Sequence, residues 1–279
     1  MLTALNIEDH TKEGIGQVFN LFRHNRLRVE HLYCDSAAVK SISYERYRGR
    51  ISWQSIDRFV KSQRKKLLCP KALELPPESG FARFESSALS RRMCENAALS
   101  LLRSFDRRDI RVALIDKSGE SAQLCEYLTD YADPVYVVTD AADIYIAQAE
   151  YLLSEKGAAL RVSRSSGCLR YADLIIAPEM LEERLGCPNN CVILSGEKPS
   201  ARQNAPVVYD YFFELPKKYQ EIKPPFLDDM YFASALYAIS GARELGTELY
   251  TRCGDGCVIH TRMSLAERLE KRLTADRSS

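Results

Sequence analysis

From residue 111 onward, short apolar runs alternate with longer stretches of helical spacing. Residues 111–115 (RVALI) are apolar between flanking charges, the pattern of a strand buried on both faces. Residues 120–131 place Ala122, Leu124, Cys125 and Leu128 at helical intervals. Residues 134–139 (PVYVVT) are rich in β-branched and aromatic side chains and predict the next strand. A helix is expected over 142–156, stopped by Gly157. Strands are expected again at 159–162, 172–177, 191–194 and 207–213. Strands alternating with helices predict a three-layer α/β domain around a parallel sheet.

The flanking regions are less periodic. A helix over 13–26, strands at 29–34 and 39–47, and a helix from Ser52 that runs into Arg64, Lys65 and Lys66 predict a smaller N-terminal α+β domain. Residues 75–80 read as a loop and 87–105 as an amphipathic helix. Near the end, a long helix is expected over 228–245 and a short amphipathic one over 264–273. The expected organisation is an N-terminal domain at 1–108, the parallel-sheet domain at 109–215, and a helical segment at 216–279 packing across both.

Charge supports a boundary near residue 108. Residues 1–108 hold 20 Lys and Arg against 12 Asp and Glu, whereas the remainder holds 19 against 26, although the net charge of the chain is only +1. The hydrophobic share of 46% is enough for a sizeable core. No run approaches eighteen apolar residues, so no membrane-spanning helix is expected. Nine scattered cysteines and the absence of a signal-like leader point to free thiols and a cytoplasmic location.

In open parallel sheets, ligands bind beyond the carboxyl ends of the strands. That edge carries residues 116–121 (DKSGES), Thr139 and Asp140, and residues 163–167. With Gly119 at the middle position of G-x-G-x-x-G/A, Ala122 fills the third position and Lys117 replaces the first glycine. Ser118, Gly119, Glu120 and Ser121 would then present backbone N–H groups to a phosphate at a helix N-terminus. Asp140, 21 residues after Gly119, stands where an acidic side chain accepts hydrogen bonds from a ribose. Ala177 closes the fourth strand beside them.

Residues 160–163 (LRVS), the short link that follows, 171–177 (YADLIIA) and 191–195 (CVILS) resemble the nicotinamide-binding domains of shikimate and methylenetetrahydrofolate dehydrogenases. The resemblance spans roughly 90 residues. It implies a Rossmann-like domain of nucleotide-binding ancestry, with NAD as the cofactor and Ser118, Gly119, Glu120, Ser121, Asp140 and Ala177 as its contacts. Lys117 at the first glycine position departs from that pattern.

Other constellations change the picture little. Cys187 and Cys191 share a C-x-x-x-C spacing, as do Cys253 and Cys257 with His260 beyond; structural zinc sites more often use two intervening residues, and no metal is expected. Lys40, Tyr44 and Asp57 are conceivable acid–base groups, with nothing to choose among them. The basic and aromatic mixture over 44–66 lacks a nucleic-acid-binding motif and reads as a solvated helix face. Two functions remain open: an NAD(P)-dependent oxidoreductase, or a non-catalytic Rossmann-like scaffold for protein interaction or ligand sensing. The expected partner in either case is a small molecule or nucleotide; the pattern leaves the reaction and the oligomeric state undefined.

Overall fold

The computed structural model describes residues 1–11, 22–34 and 37–275. The helix expected over 13–26 falls largely outside them. Contacts divide the chain into two compact units: Met1–Ser86 with Glu214–Leu245, and Ser87–Phe213 with Gly246–Ser279.

The first unit is built on a mixed sheet. Strands β1 (Leu2–Asp9), β2 (Arg26–Cys34) and β3 (Ala37–Arg46) are followed by helix α1 (Trp53–Val60) and the short β4 (Leu67–Leu68). The order is β2-β3-β1-β4, with β2 antiparallel to β3 and β1 parallel to both β3 and β4. β1 is not evident in the hydropathy pattern, yet Leu2, Thr3, Ala4 and Leu5 are buried. Its place is fixed by pairing with β3, from Leu2 opposite Val39 to Asp9 opposite Arg46. Leu5, Ile42 and Tyr44 pack with Ile56 and Val60 of α1, which lie four residues apart on one helical face.

The returning segment of this unit corrects the expectation of one helix over 228–245. The Asp228 carboxylate caps a helix at Asp229–Ala235 by accepting from the N–H groups of Met230 (2.9 Å) and Tyr231 (3.2 Å). The chain then widens into a π-type turn over Leu236–Ser240 and leaves the helical path at Gly241.

The second unit contains helix α2 (Ala88–Leu102), strand β5 (Val112–Ile115), helix α3 (Leu124–Tyr131), strand β6 (Val135–Val138) and helix α4 (Ala142–Lys156). Strands β7 (Leu160–Ser163), β8 (Leu174–Ala177), β9 (Val192–Ser195) and β10 (Val207–Val208) complete its sheet. All pairings are parallel and the order is β10-β9-β8-β5-β6-β7. Counted within the sheet, this is the doubly wound order 3-2-1-4-5-6, which defines a Rossmann-like fold and reverses direction between β5 and β8. Every residue of β5, β8 and β9 is buried, which explains their continuous apolar sequences.

One face of the sheet carries helices: α2 packs on β8 and β9, and α3 packs on α2 and β6. Eleven of the fifteen residues of α2 are buried, so this helix is enclosed rather than half-exposed, as its sequence suggests. The other face, formed by Ala113, Ile115, Ile175, Ala177 and Ile193, is covered differently. Leu169 from the 3₁₀ turn Ser166–Tyr171 and Leu181, Leu185 and Cys187 from the loop after β8 supply its apolar cover. That turn is the whole crossover from β7 to β8, in agreement with a link too short for a full helix.

The chain ends in a small antiparallel sheet, β11 (Asp210–Phe212), β12 (Arg252–Gly254) and β13 (Ile259–His260), and helix α5 (Arg262–Ala275), which packs on α2 and β9. Buried Asp173 ties the start of β8 to its surroundings. It accepts from the Arg111 backbone N–H (3.0 Å), Nε (2.9 Å) and Nη2 (2.7 Å), and Arg272 of α5 lies 3.2 Å away. Among the described residues, no helix is long and apolar enough to cross a membrane.

Gly196, just after β9, has no room for a side chain: a Cβ there would lie 2.0 Å from the Pro178 carbonyl oxygen. Replacement by alanine must therefore displace backbone. Gly196→Ala is expected to cost about 3 kcal/mol or more, read as a lowered midpoint in urea unfolding with little change in slope.

Candidate functional site

The topology brings the ends of β5, β6 and β8 together at the switch point, where a doubly wound sheet opens a crevice. The loop after β5 folds around its own first residue. Asp116 is fully buried, and its Oδ1 accepts from the N–H of Gly119 (3.1 Å) and the Ser118 hydroxyl (3.1 Å). Its Oδ2 accepts from the N–H of Ser121 (2.8 Å) and the Tyr145 hydroxyl of α4 (2.5 Å). Burial, and then the bond to Asp116, push the Tyr145 phenol far above its ordinary range, so it remains a donor.

The other loop groups are also engaged. The Lys117 N–H donates to Glu179 (3.1 Å), that of Glu120 to the Ser118 hydroxyl (3.4 Å), and the Ser121 hydroxyl to buried Glu95 (2.7 Å). Lys117 Nζ pairs with Glu182 (3.1 Å), and Arg91 pairs with both Glu120 and Glu179. Gly119 adopts φ +82°, which a side chain rarely tolerates, and a Cβ there would stand 2.7 Å from the tip of Ile144. The start of α4 thus packs against Gly119 on the side where a side chain would project.

A cleft of about 290 Å³ lies beside this loop, beyond the strand ends. Ile115, Val138, Leu169, Ala177, Leu181 and Leu185 form its apolar wall, while Asp140, Arg164, Ser166 and Glu183 supply polar groups. Of the residues singled out from sequence, Asp140 and Ala177 line the cleft, Asp140 exposed and Ala177 buried. Ser118, Gly119, Glu120 and Ser121 do not line it; two of their N–H groups turn inward to Asp116. Asp116 and Arg164 fell within the stretches placed at this edge but were given no role, and Tyr145 and Glu179 were not singled out. The sequence signal for Glu179 was its place two residues past the fourth strand; for Tyr145 it was an aromatic group in the first turn of α4.

Lys40, Tyr44 and Asp57 belong to the other unit and serve local structure. Lys40 donates to the Phe59 carbonyl, Tyr44 accepts from Ser52 N–H and Asn25, and Asp57 pairs with Arg64. Among the described residues, no three His, Cys, Asp or Glu side chains group as a metal site would require. Cys187 and Cys191 are both buried free thiols; the hydrogen bond between them lowers the pKa of Cys187, and the same hydrogen bond, with burial, raises that of Cys191.

No protein-family model matches the sequence, and neither does any curated protein. Among solved structures, an L-tryptophan dehydrogenase from Nostoc punctiforme aligns with a TM-score of 0.34 and 11% identity, over 85% of this chain and 77% of that one. A shikimate dehydrogenase in complex with NADP+ aligns with a TM-score of 0.27 and 7% identity, over 70% and 76% respectively. The strand order described above defines the fold without them.

Tyr145→Phe removes one donor from the buried Asp116 carboxylate. It is expected to cost about 2 kcal/mol in chemical denaturation, within the range for hydrogen bonds to charged groups. Gly119→Ala combines a strained φ with a clash and is expected to cost about 2 kcal/mol as well.

Proposed function

We propose that the chain is a ligand-binding or sensing protein. Its Rossmann-like unit takes one small hydroxylated ligand of nucleoside type in the cleft beyond β5, β6 and β8. The observation that carries this reading is the Asp116 carboxylate, bonded to the N–H groups of Gly119 and Ser121. Those are the donors a pyrophosphate would use, and a second anion cannot share them. The pyrophosphate of NAD therefore does not fit the loop as it stands. The cleft rim agrees, since Asp140, Glu179, Glu182 and Glu183 outnumber Lys117 and Arg164 and disfavour phosphate.

The nucleoside part does fit. Asp140 stands where a carboxylate accepts from ribose hydroxyls, and Val138, Leu169 and Leu185 offer an apolar wall for a base. A volume of about 290 Å³ suits one such group. The same position of Asp140 favours a second reading, an oxidoreductase that binds NAD once the loop gives up Asp116.

Titration calorimetry with adenosine, AMP, NAD and NADP separates the two. Adenosine is expected to bind, NAD within about tenfold of it, and NADP more weakly because Asp140 repels a 2′-phosphate. Asp140→Asn is expected to weaken adenosine about tenfold. NAD binding tighter than adenosine by about a hundredfold would establish the second reading, and no binding of any of the four would sink both.

A further inference from the structure

At the opposite end of the sheet, the turn that leads into β9 faces helix α5 across a second, more open cleft of about 460 Å³. Asn189, Asn190, His260, Arg268, Lys271 and Arg272 line it. The donors here are unevenly satisfied. Arg272 is buried and answered by Asp173, at 3.2 Å. Arg268, one helical turn earlier and partly buried, has no acidic partner among the described residues, and neither has Lys271. The side-chain amides of Asn189 and Asn190 make no hydrogen bond among the described residues. His260 is nine-tenths buried; its Nε2 is shut off from solvent, makes no hydrogen bond and lies 3.5 Å from Asp255.

The Arg268 guanidinium has no counter-charge of its own among the described residues, and its planar fork matches an oxyanion; Lys271, Asn189 and Asn190 are exposed and reach the same space. Three cations line the cleft against one carboxylate, Glu267. Two asparagine amides approach from the facing turn, so donors reach the space from two sides. A phosphoryl group offers three oxygens and up to two charges, against two oxygens and one charge for a carboxylate, so it answers two cations and the amides together more fully. We infer that this cleft is a binding site for a phosphoryl group, carried by a small molecule and held by Arg268, Lys271 and the amides of Asn189 and Asn190. The site is independent of the switch-point cleft and of the nucleoside reading.

The test uses the full chain and inorganic phosphate, with ionic strength held constant by chloride and acetate as a second arm. Phosphate is expected to raise the melting temperature and bind saturably in calorimetry, with acetate weaker by about tenfold or more. The double variant R268Q/K271Q, which leaves the Arg272–Asp173 pair intact, is expected to weaken phosphate about tenfold or more. Its melting temperature in chloride should not change. Glu267→Gln, which removes the opposing charge, should tighten binding. A phosphate effect no larger than that of chloride overturns the proposal, as does one that persists unchanged in the double variant. Acetate binding as tightly as phosphate would overturn the assignment to a phosphoryl group.

Discussion

A buried carboxylate must find donors, and around Asp116 that need shapes the whole crevice. The side chain is withdrawn from water at the end of a fully buried strand, where an unpaired charge would cost several kcal/mol. Two backbone N–H groups, a serine and a tyrosine from the next helix supply its partners. Meeting that requirement curls residues 116–121 inward, brings the start of α4 over Gly119, and leaves the cleft on the side of Asp140 and the loop after β8. The carboxylate takes the part that a bound phosphate plays in a dinucleotide-binding loop.

Asp173 imposes a comparable condition at the other end of the sheet. It pairs with both Arg111 and Arg272, joining the approach to β5, the start of β8 and helix α5 through one buried group. The difference between the two ends is informative. Donors around Asp116 are consumed by a carboxylate of the protein itself, whereas beside Asp173 the cations outnumber the acids. The two clefts on one sheet therefore have linings of opposite charge character.

The parallel sheet could be read from sequence because its central strands are buried on both faces and carry uninterrupted apolar runs. The short crossover before β8 was legible from spacing, since the link over residues 164–171 is too short for a helix with its turns. β1 was not, because LTALNIED has neither strict alternation nor flanking turn residues, and its burial depends on pairing with β3 some 37 residues later. The 228–245 segment misled because helical spacing continues past Ser240 while the backbone does not. At the candidate site, the glycine spacing and Asp140 drew attention to the sheet edge where the cleft lies. The inward turn of the loop was hidden, because Asp116 takes its decisive partner from Tyr145, 29 residues away, and nothing local distinguishes a buried carboxylate from a solvated one.

The contact between Gly196 and Pro178 joins backbone to backbone at the point where β9 ends and the loop covering the cleft begins. Its identity is fixed by the absence of an atom rather than by any side-chain partner. The cleft wall over residues 179–185 starts from that main-chain anchor, and further along it is held by side chains, Gln203 and Ser200 among them. A change at Gly196 would therefore shift the whole wall at its root, whereas a change at an unbonded side chain such as Met180 would alter only the lining.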